Sequence, residues 1–203
     1  MSLPFMYVHK NKSPHGDYDH IGNAFYLVDN IKIEKVILNC GEVNDLENDL
    51  IKILTKNQIK YYTCIKELNI NGNKLSFLQT GKYDNENDNS NVIYTELNGY
   101  KFMFMGDASK LKEEDIIKKY KLAKIDFLKV GHHGSKTSSS KEFISKINPK
   151  YSIISVGRNN RYGHPNKEVL DNLNDSKIYR TDQDGSIMFK IKNNKLKIET
   201  YSP

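Results

Sequence analysis

The chain has 203 residues, of which 37% are hydrophobic and 28% charged, and 31 Lys and Arg against 25 Asp and Glu leave a net charge of +6. One domain fits that length, and 13 Tyr with 8 Phe supply a core, which excludes an intrinsically disordered chain. No apolar run approaches the roughly 20 residues of a membrane span, and the start lacks the apolar stretch of a signal peptide, so a soluble chain is expected.

Residues 1–13 read as neither strand nor helix. The cluster His15-Gly16-Asp17-Tyr18-Asp19-His20 follows, and an apolar run opens a helix near Gly22. A strand is predicted over 35–40. The amphipathic helix after it carries Val43, Leu46, Leu50, Ile53 and Leu54 at helical spacing, with Asp45, Glu47 and Asp49 toward its start. Another strand is predicted over 60–64. Strands at 68–70 and 74–79 are joined by Asn71-Gly72-Asn73, and strands at 92–97 and 100–105 by Asn98-Gly99, both hairpin signals. The Asn-rich stretch 81–91 between them has no periodicity. Beyond Gly106-Asp107 helices and strands alternate: helices near 110–120, 139–147 and from 165, each leading to a strand, at 126–130, 151–156 and 177–179. A hairpin of 186–191 and 196–200 closes the chain. With no repeat, linker or composition break, residues 1–203 read as a single domain of α/β class.

Cys40 and Cys64 each end an apolar β-like run and show no metal-ligand spacing, so two free, partly buried thiols are expected.

The chemistry is concentrated at four places. His15, Asp17, Asp19 and His20 put two imidazoles and two carboxylates within six residues, a donor set suited to first-row divalent metals; the alternative is a solvated helix cap. The strand Phe102-Met103-Phe104-Met105 ends in Gly106-Asp107, where the alternative is an Asp that caps the next helix. The strand Phe127-Leu128-Lys129-Val130 ends in Gly131-His132-His133-Gly134-Ser135. The fourth place runs from Ser155-Val156-Gly157 through Arg158 and Arg161 to Gly163-His164-Pro165. Strand ends that each deliver His or Asp are how an α/β protein builds a site along one rim of a sheet, which favours the metal reading.

These segments resemble the metallo-β-lactamase superfamily, and within it the metallo-hydrolase domain attached to the bacterial DNA-uptake channel protein ComEC. The resemblance rests on His-x-Asp-x-Asp-His, Gly-Asp-Ala-Ser, Val-Gly-His-His-Gly-Ser-Lys-Thr-Ser and Tyr-Gly-His-Pro, together with Tyr179-Arg180-Thr181-Asp182-x-Asp184-Gly185. It implies a four-layer αββα sandwich and a centre of two divalent ions, zinc or manganese. His15 and Asp17 would ligate the first ion, Asp19, His20 and His164 the second, and Asp107 would bridge them. Asp19, His132 and His133 are the implied catalytic residues, with one of the two histidines a general acid or a further ligand. Ser135, Lys136, Arg158 and Arg161 are the implied phosphate contacts, with backbone N–H groups of Gly131, Gly134 and Ser135. Asp17 stands where most of the superfamily has His, and Asp84, Asp88 or an Asn of 85–91 would stand in for another absent His. Family domains begin with several strands before the His-rich segment, so the first sheet is expected to be incomplete, with strand edges open to homodimer pairing.

The implied activity is a metal-dependent phosphodiesterase, a nuclease on single-stranded DNA during uptake, in which a metal-activated hydroxide attacks phosphorus. The alternatives are a hydrolase of a small ester, lactone or amide, and a truncated nucleic-acid-binding module. As part of a membrane channel protein the domain would face the outer side of the cytoplasmic membrane. Otherwise it would be cytoplasmic.

Overall fold

The hairpins and crossovers expected from the sequence form. The computed structural model describes residues 5–7, 21–193 and 195–202, and the chain divides into two compact units, one of residues 1–66 with 81–91 and one of residues 67–80 with 92–203.

In the first unit β1 (Phe5–Tyr7), β2 (Lys35–Leu38) and β3 (Lys60–Thr63) form an all-parallel sheet, in the order β1-β2-β3. β1 lies where the sequence predicts no element; three residues carry no period, and only the pairing of Phe5 with Lys35 reveals the strand. Among the described residues this unit has the α-helices α1 (Ala24–Asn30) and α2 (Asp45–Lys56). α2 starts at Asn44, whose side chain accepts the Glu47 N–H at 2.9 Å while the Glu47 carboxylate accepts the Asn44 N–H at 3.0 Å. This capping box uses Glu47 more specifically than attraction to the helix dipole would. Leu50 and Leu54 point into a core with Ile21, Ala24, Val28, Ile33, Val36 and Leu38. Val43 precedes the cap and is exposed, so it is not part of the apolar stripe the periodicity suggested.

The expectation of two free thiols is wrong. Cys40 and Cys64 form a disulfide, with Cα atoms 4.6 Å apart. Parallel pairing of Leu38 with Thr63 brings the ends of β2 and β3 side by side, within the distance a disulfide bridges. The segment 81–91 is more ordered than its composition suggests: Glu86–Asn89 form a 3-10 turn, and the Asn89 amide clamps Tyr83 by accepting its N–H (2.9 Å) and donating to its carbonyl (2.8 Å).

The second unit is built on a seven-stranded mixed sheet in the order β10-β9-β8-β7-β6-β5-β4. β4 (Glu67–Ile70), β5 (Asn73–Phe77), β6 (Ile93–Leu97) and β7 (Tyr100–Phe104) run antiparallel. Asn71 and Gly72 have φ of 49° and 81°, and Asn98 and Gly99 have 50° and 77°. Both central residues are left-handed, the turn that matches strand twist and the reason Asn-Gly recurs there. β8 (Phe127–Lys129), β9 (Tyr151–Ile154) and β10 (Lys177–Arg180) add in parallel, each after a helix: α3 (Lys110–Lys119), α4 (Lys141–Ile147) and α5 (Lys167–Asn172).

Alternation along these strands sorts the two faces. Met103, Met105, Leu128, Val130, Ile154 and Val156 share a core with helix residues such as Ile116, Phe143, Ile147 and Val169. On the other face Phe127 stacks on Phe102 and Tyr151, with ring centres 4.6 and 5.0 Å away. A short α6 (Thr181–Asp184) leads to the antiparallel pair β11 (Ser186–Lys192) and β12 (Lys195–Tyr201), and Phe189 of β11 meets Phe127 edge-on at 4.9 Å. This is the mixed α/β architecture with a large mixed sheet that the resemblance implies. No helix among the described residues is long and apolar enough to cross a membrane.

Candidate active site

Adjacent parallel strands β7, β8 and β9 all point their carboxyl ends the same way, and at that edge each stops in a glycine-containing loop. Open α/β sheets place their ligands at such edges. After β7, Gly106 takes a φ of 58°, and Asp107 follows, only 3% exposed. Asp107 is not the cap of α3. Ser109 holds that position, its hydroxyl accepting the Leu111 N–H at 3.2 Å, which leaves the carboxylate to the strand-end cluster.

After β8 the chain makes a tight turn in which His132 and His133 have φ of 45° and 55°. Two consecutive left-handed residues without glycine are costly, and such strain persists where surrounding contacts hold it, typically at functional sites. Three contacts do so. The His132 N–H donates to Gly106 O at 3.0 Å, tying this loop to that of Asp107. His133 places Nδ1 2.8 Å from the carbonyl of Ser155, and His132 places Nδ1 3.3 Å from the Thr137 hydroxyl. A carbonyl can only accept, so His133 carries its proton on Nδ1 and offers Nε2 to the site, the arrangement of ligating and acid–base imidazoles alike. A hydroxyl can donate or accept, so the contact with Thr137 does not by itself fix the tautomer of His132. The two histidines that the sequence leaves equivalent are therefore not equivalent.

The loop after β9 brings in His164, whose ring centre lies 6.0 Å from that of His132. Asn160 fixes it from both sides, accepting the His164 N–H at 2.8 Å and donating to the His164 carbonyl at 2.7 Å. Burial, then the neighbouring His132 and His133, holds the His164 imidazole below its ordinary pKa, against the pull of Asp107. Lys129 is likewise pushed down by burial and drawn back by Asp107. Asp107 thus shares its field with both His164 and Lys129. A Cβ on Gly134 would lie 2.6 Å from Cβ of Pro165, so only glycine lets these two loops meet.

Of the other residues singled out, Lys136, Arg158 and Arg161 are exposed. Ser135 is 5% exposed; its N–H donates to His132 O at 2.8 Å and its hydroxyl pairs with Thr137 at 3.0 Å, so it shapes the turn from within. Arg180 and Asp182 form an ion pair at 2.6 Å, and the Thr181 hydroxyl bonds both the N–H and the carbonyl of Val156. That segment braces the end of β9. His15, Asp17, Asp19 and His20 lie outside the described residues. In the segment offered as a substitute for the absent His, Asp84 is exposed and Asp88 is buried, accepting from the Asn85 amide at 3.2 Å.

The sequence reading missed two residues. Tyr162 is 67% exposed yet fixed: its ring lies near-parallel to His164 at 5.9 Å, with the Arg161 guanidinium 5.2 Å from its centre and bonded to its hydroxyl at 3.0 Å. The Arg-Tyr-Gly-His spacing was the available signal. Glu113 of α3 is buried and accepts backbone N–H bonds from Ser139 and, at 2.8 Å, Ser140. Burial raises its pKa to about 7, against those two bonds, the Ser140 hydroxyl and Lys110. Its folded pKa lies above the unfolded value near 4.5, so its contribution to stability is complete below pH 4.5 and is lost as pH rises through 7. Between those limits the wild-type chain is expected to lose on the order of 3 kcal/mol from this group, while Glu113→Gln flattens that slope. Urea unfolding of both proteins at pH 4.5, 6 and 8 measures it, and parallel pH profiles would refute it.

Known proteins are similar to this chain in sequence. The chain is 33% identical to "ComE operon protein 3" of Bacillus subtilis over 196 residues, which are 93% of the chain and 25% of that protein. It is 33% identical to "Competence protein ComA" of Neisseria gonorrhoeae over 123 residues, 58% of the chain and 18% of that protein. With "Recombination protein 2" of Haemophilus influenzae it shares 35% identity over 116 residues, 56% of the chain and 14% of that protein. The chain thus spans a quarter or less of the length of these relatives. The model of the metallo-beta-lactamase superfamily matches residues 15–158, from the His-rich segment through Asp107 and the His132-His133 turn to Arg158. With that match across most of its length, the chain belongs to the metallo-beta-lactamase superfamily.

Proposed function

We propose that the chain is a metal-dependent phosphodiesterase that cleaves single-stranded DNA. The observation that carries the reading is the edge of β7, β8 and β9, where a buried carboxylate and three imidazoles gather beside exposed cations and a fixed tyrosine. The competence and recombination names of the relatives support a DNA-uptake setting.

Members of the superfamily generally bind divalent ions, usually zinc. The donor chemistry of the described residues fits such an ion in part: Asp107 is a buried carboxylate, and burial favours the neutral, ligating form of His164. Among the described residues no group of three His, Cys, Asp or Glu could hold an ion unaided. His15, Asp17, Asp19 and His20 would supply the remaining donors. Bound divalent ions supply charge for the phosphate oxygens and an activated water as nucleophile. As the imidazolium, with its Nδ1–H held by the Ser155 carbonyl, His133 would give its second proton, on Nε2, to the leaving oxygen and be left as the neutral Nδ1–H ring. His132, tied by Thr137 and by its N–H to Gly106 O, would stand beside it near the scissile phosphate. Lys136, Arg158 and Arg161 attract the phosphate backbone, and Tyr162 offers a ring on which an unpaired base can stack. The oxygen-rich first position, with Asp17 in place of His, should let Mn²⁺ restore more activity than Zn²⁺ to chelated protein.

The test is a substrate panel: bis-(p-nitrophenyl) phosphate, a lactone, a β-lactam, and single-stranded against duplex DNA. The diester and the single strand should be cleaved fastest. Three cations on a single strand give a binding slope of roughly −2 in log K against log salt. Tyr162→Ala should weaken single-strand binding by about tenfold, the loss of one stacked base. Salt-independent binding, or a lactone cleaved far faster than any diester, would refute the nuclease and favour a small-ester hydrolase.

A further inference from the structure

We infer that Glu113 is a positioning residue for the His132-His133 turn, acting through the loop 135–140 without touching the substrate; the inference rests on the phosphodiesterase reading above.

The first half of the loop is held from within, Ser138 bonding back to the Ser135 carbonyl and Thr137 to the Ser135 hydroxyl, whereas its second half is held from α3. The loop leaves the histidine turn, reverses, and enters α4 at the cap residue Ser140. Ser139, just before that cap, sits at φ 58°, a left-handed conformation that a non-glycine residue keeps only when its surroundings hold it. Its N–H and that of Ser140 both donate to the one carboxylate of Glu113, Ser139 to Oε1 and Ser140 to Oε2. Ser139 is buried, where an unpaired N–H would be costly, and Ser140 is half-buried. The Ser139 carbonyl is taken by the Asn172 amide at 2.9 Å, so the residue is pinned at both ends.

From this clasp the connection to the site is continuous. Ser138, next in the chain, donates its hydroxyl to Gly131 O at 2.9 Å, at the base of the histidine turn. The Thr137 carbonyl accepts the Lys110 N–H at 2.8 Å, from the first turn of the helix that carries Glu113. The Thr137 hydroxyl then meets Nδ1 of His132. A carboxylate is suited to this place because two converging N–H donors need two acceptors. A glutamine offers one acceptor and sets an NH₂ group against the second donor.

The consequence is a division of labour. His133 is oriented directly by the carbonyl of Ser155, just past β9, whereas His132 is oriented from α3 by way of a loop. Loss of Glu113 should therefore loosen His132 and the 135–140 loop and leave Asp107 and His164, which are carried by other loops, where they are.

The experiment uses Glu113→Gln, Thr137→Val and the double variant at pH 8, where Glu113 is ionised, with Mn²⁺ and bis-(p-nitrophenyl) phosphate. Misplaced catalytic groups of this kind cost about 10- to 100-fold in rate. Glu113→Gln should lower kcat by about tenfold or more with KM and bound metal unchanged, and adding Thr137→Val should lower it little further, because both changes cut one connection. A kcat within twofold of wild type, or effects that multiply in the double variant, overturns the inference. So does a parallel fall of kcat, metal content and melting temperature, which would mark a purely structural role. Two readouts need no catalysis. In the wild-type chain the Ser139 and Ser140 amides should be strongly protected from hydrogen exchange, and the ¹⁵N shifts of the His132 ring should move in Thr137→Val and Glu113→Gln while those of His133 stay. Unprotected amides, or unmoved His132 shifts, overturn the inference even if a variant folds poorly. A wild-type chain that cleaves no diester with any divalent ion would defeat the phosphodiesterase reading, and these two readouts would still decide whether the clasp holds His132.

Discussion

Asp107→Ala is expected to abolish metal binding and hydrolysis together. The carboxylate is almost fully buried at the end of β7, and its charge is felt by His164 and by Lys129 beneath it. Deleting it would remove a proposed metal ligand and leave Lys129 with less reason to stay charged. Rates should drop to background, a loss of roughly 10³-fold or more, since ion-borne charge stabilisation is worth several kcal/mol. Metal stoichiometry after dialysis, measured by mass spectrometry beside diester hydrolysis, checks it. An alanine variant that keeps either metal or rate would remove Asp107 from the centre.

His133→Ala should do the reverse, keeping most of the metal while the rate falls by about 10² to 10⁴, the range for losing a general acid. Its Nδ1–H is committed to the Ser155 carbonyl at 2.8 Å, so Nε2 is the working atom. An activated leaving group such as p-nitrophenolate needs little protonation, so the loss should be smaller for bis-(p-nitrophenyl) phosphate than for DNA. His132→Ala removes a ring whose Nδ1 lies 3.3 Å from a hydroxyl in place of a carbonyl, and should cost less. If His133→Ala loses metal as fully as Asp107→Ala, His133 is a ligand and the roles must be exchanged.

Most of the strand order was legible because local signals mark it. The Asn71-Gly72 and Asn98-Gly99 turns name their own conformation, and Gly106 and Gly131 mark where β7 and β8 end. Long-range pairing was not legible. β1 is three residues without a period, and the approach of Cys40 to Cys64 follows only from the parallel register of β2 and β3. The site was legible as residue types, since His132, His133, His164 and Asp107 stand beside strand-ending glycines. Its internal order was not. A sequence cannot show that His133 faces a carbonyl and His132 a hydroxyl. Nor can it show that Glu113, one of 25 acidic residues, meets Ser139 across 26 positions. The Asn-rich stretch 81–91 misled for a related reason, because its amides fold back on their own backbone instead of facing solvent.

The bond between Cys40 and Cys64 has a further consequence, for cleavage of the chain. It encloses α2 and β3 in a covalent ring spanning 24 positions. A protease that nicks the backbone anywhere inside that ring opens it without releasing a fragment. The nicked molecule keeps its full mass on a non-reducing gel and separates into two pieces only when the bond is reduced. The crossover between neighbouring strands of the first unit can thus be cut while both strands stay tethered.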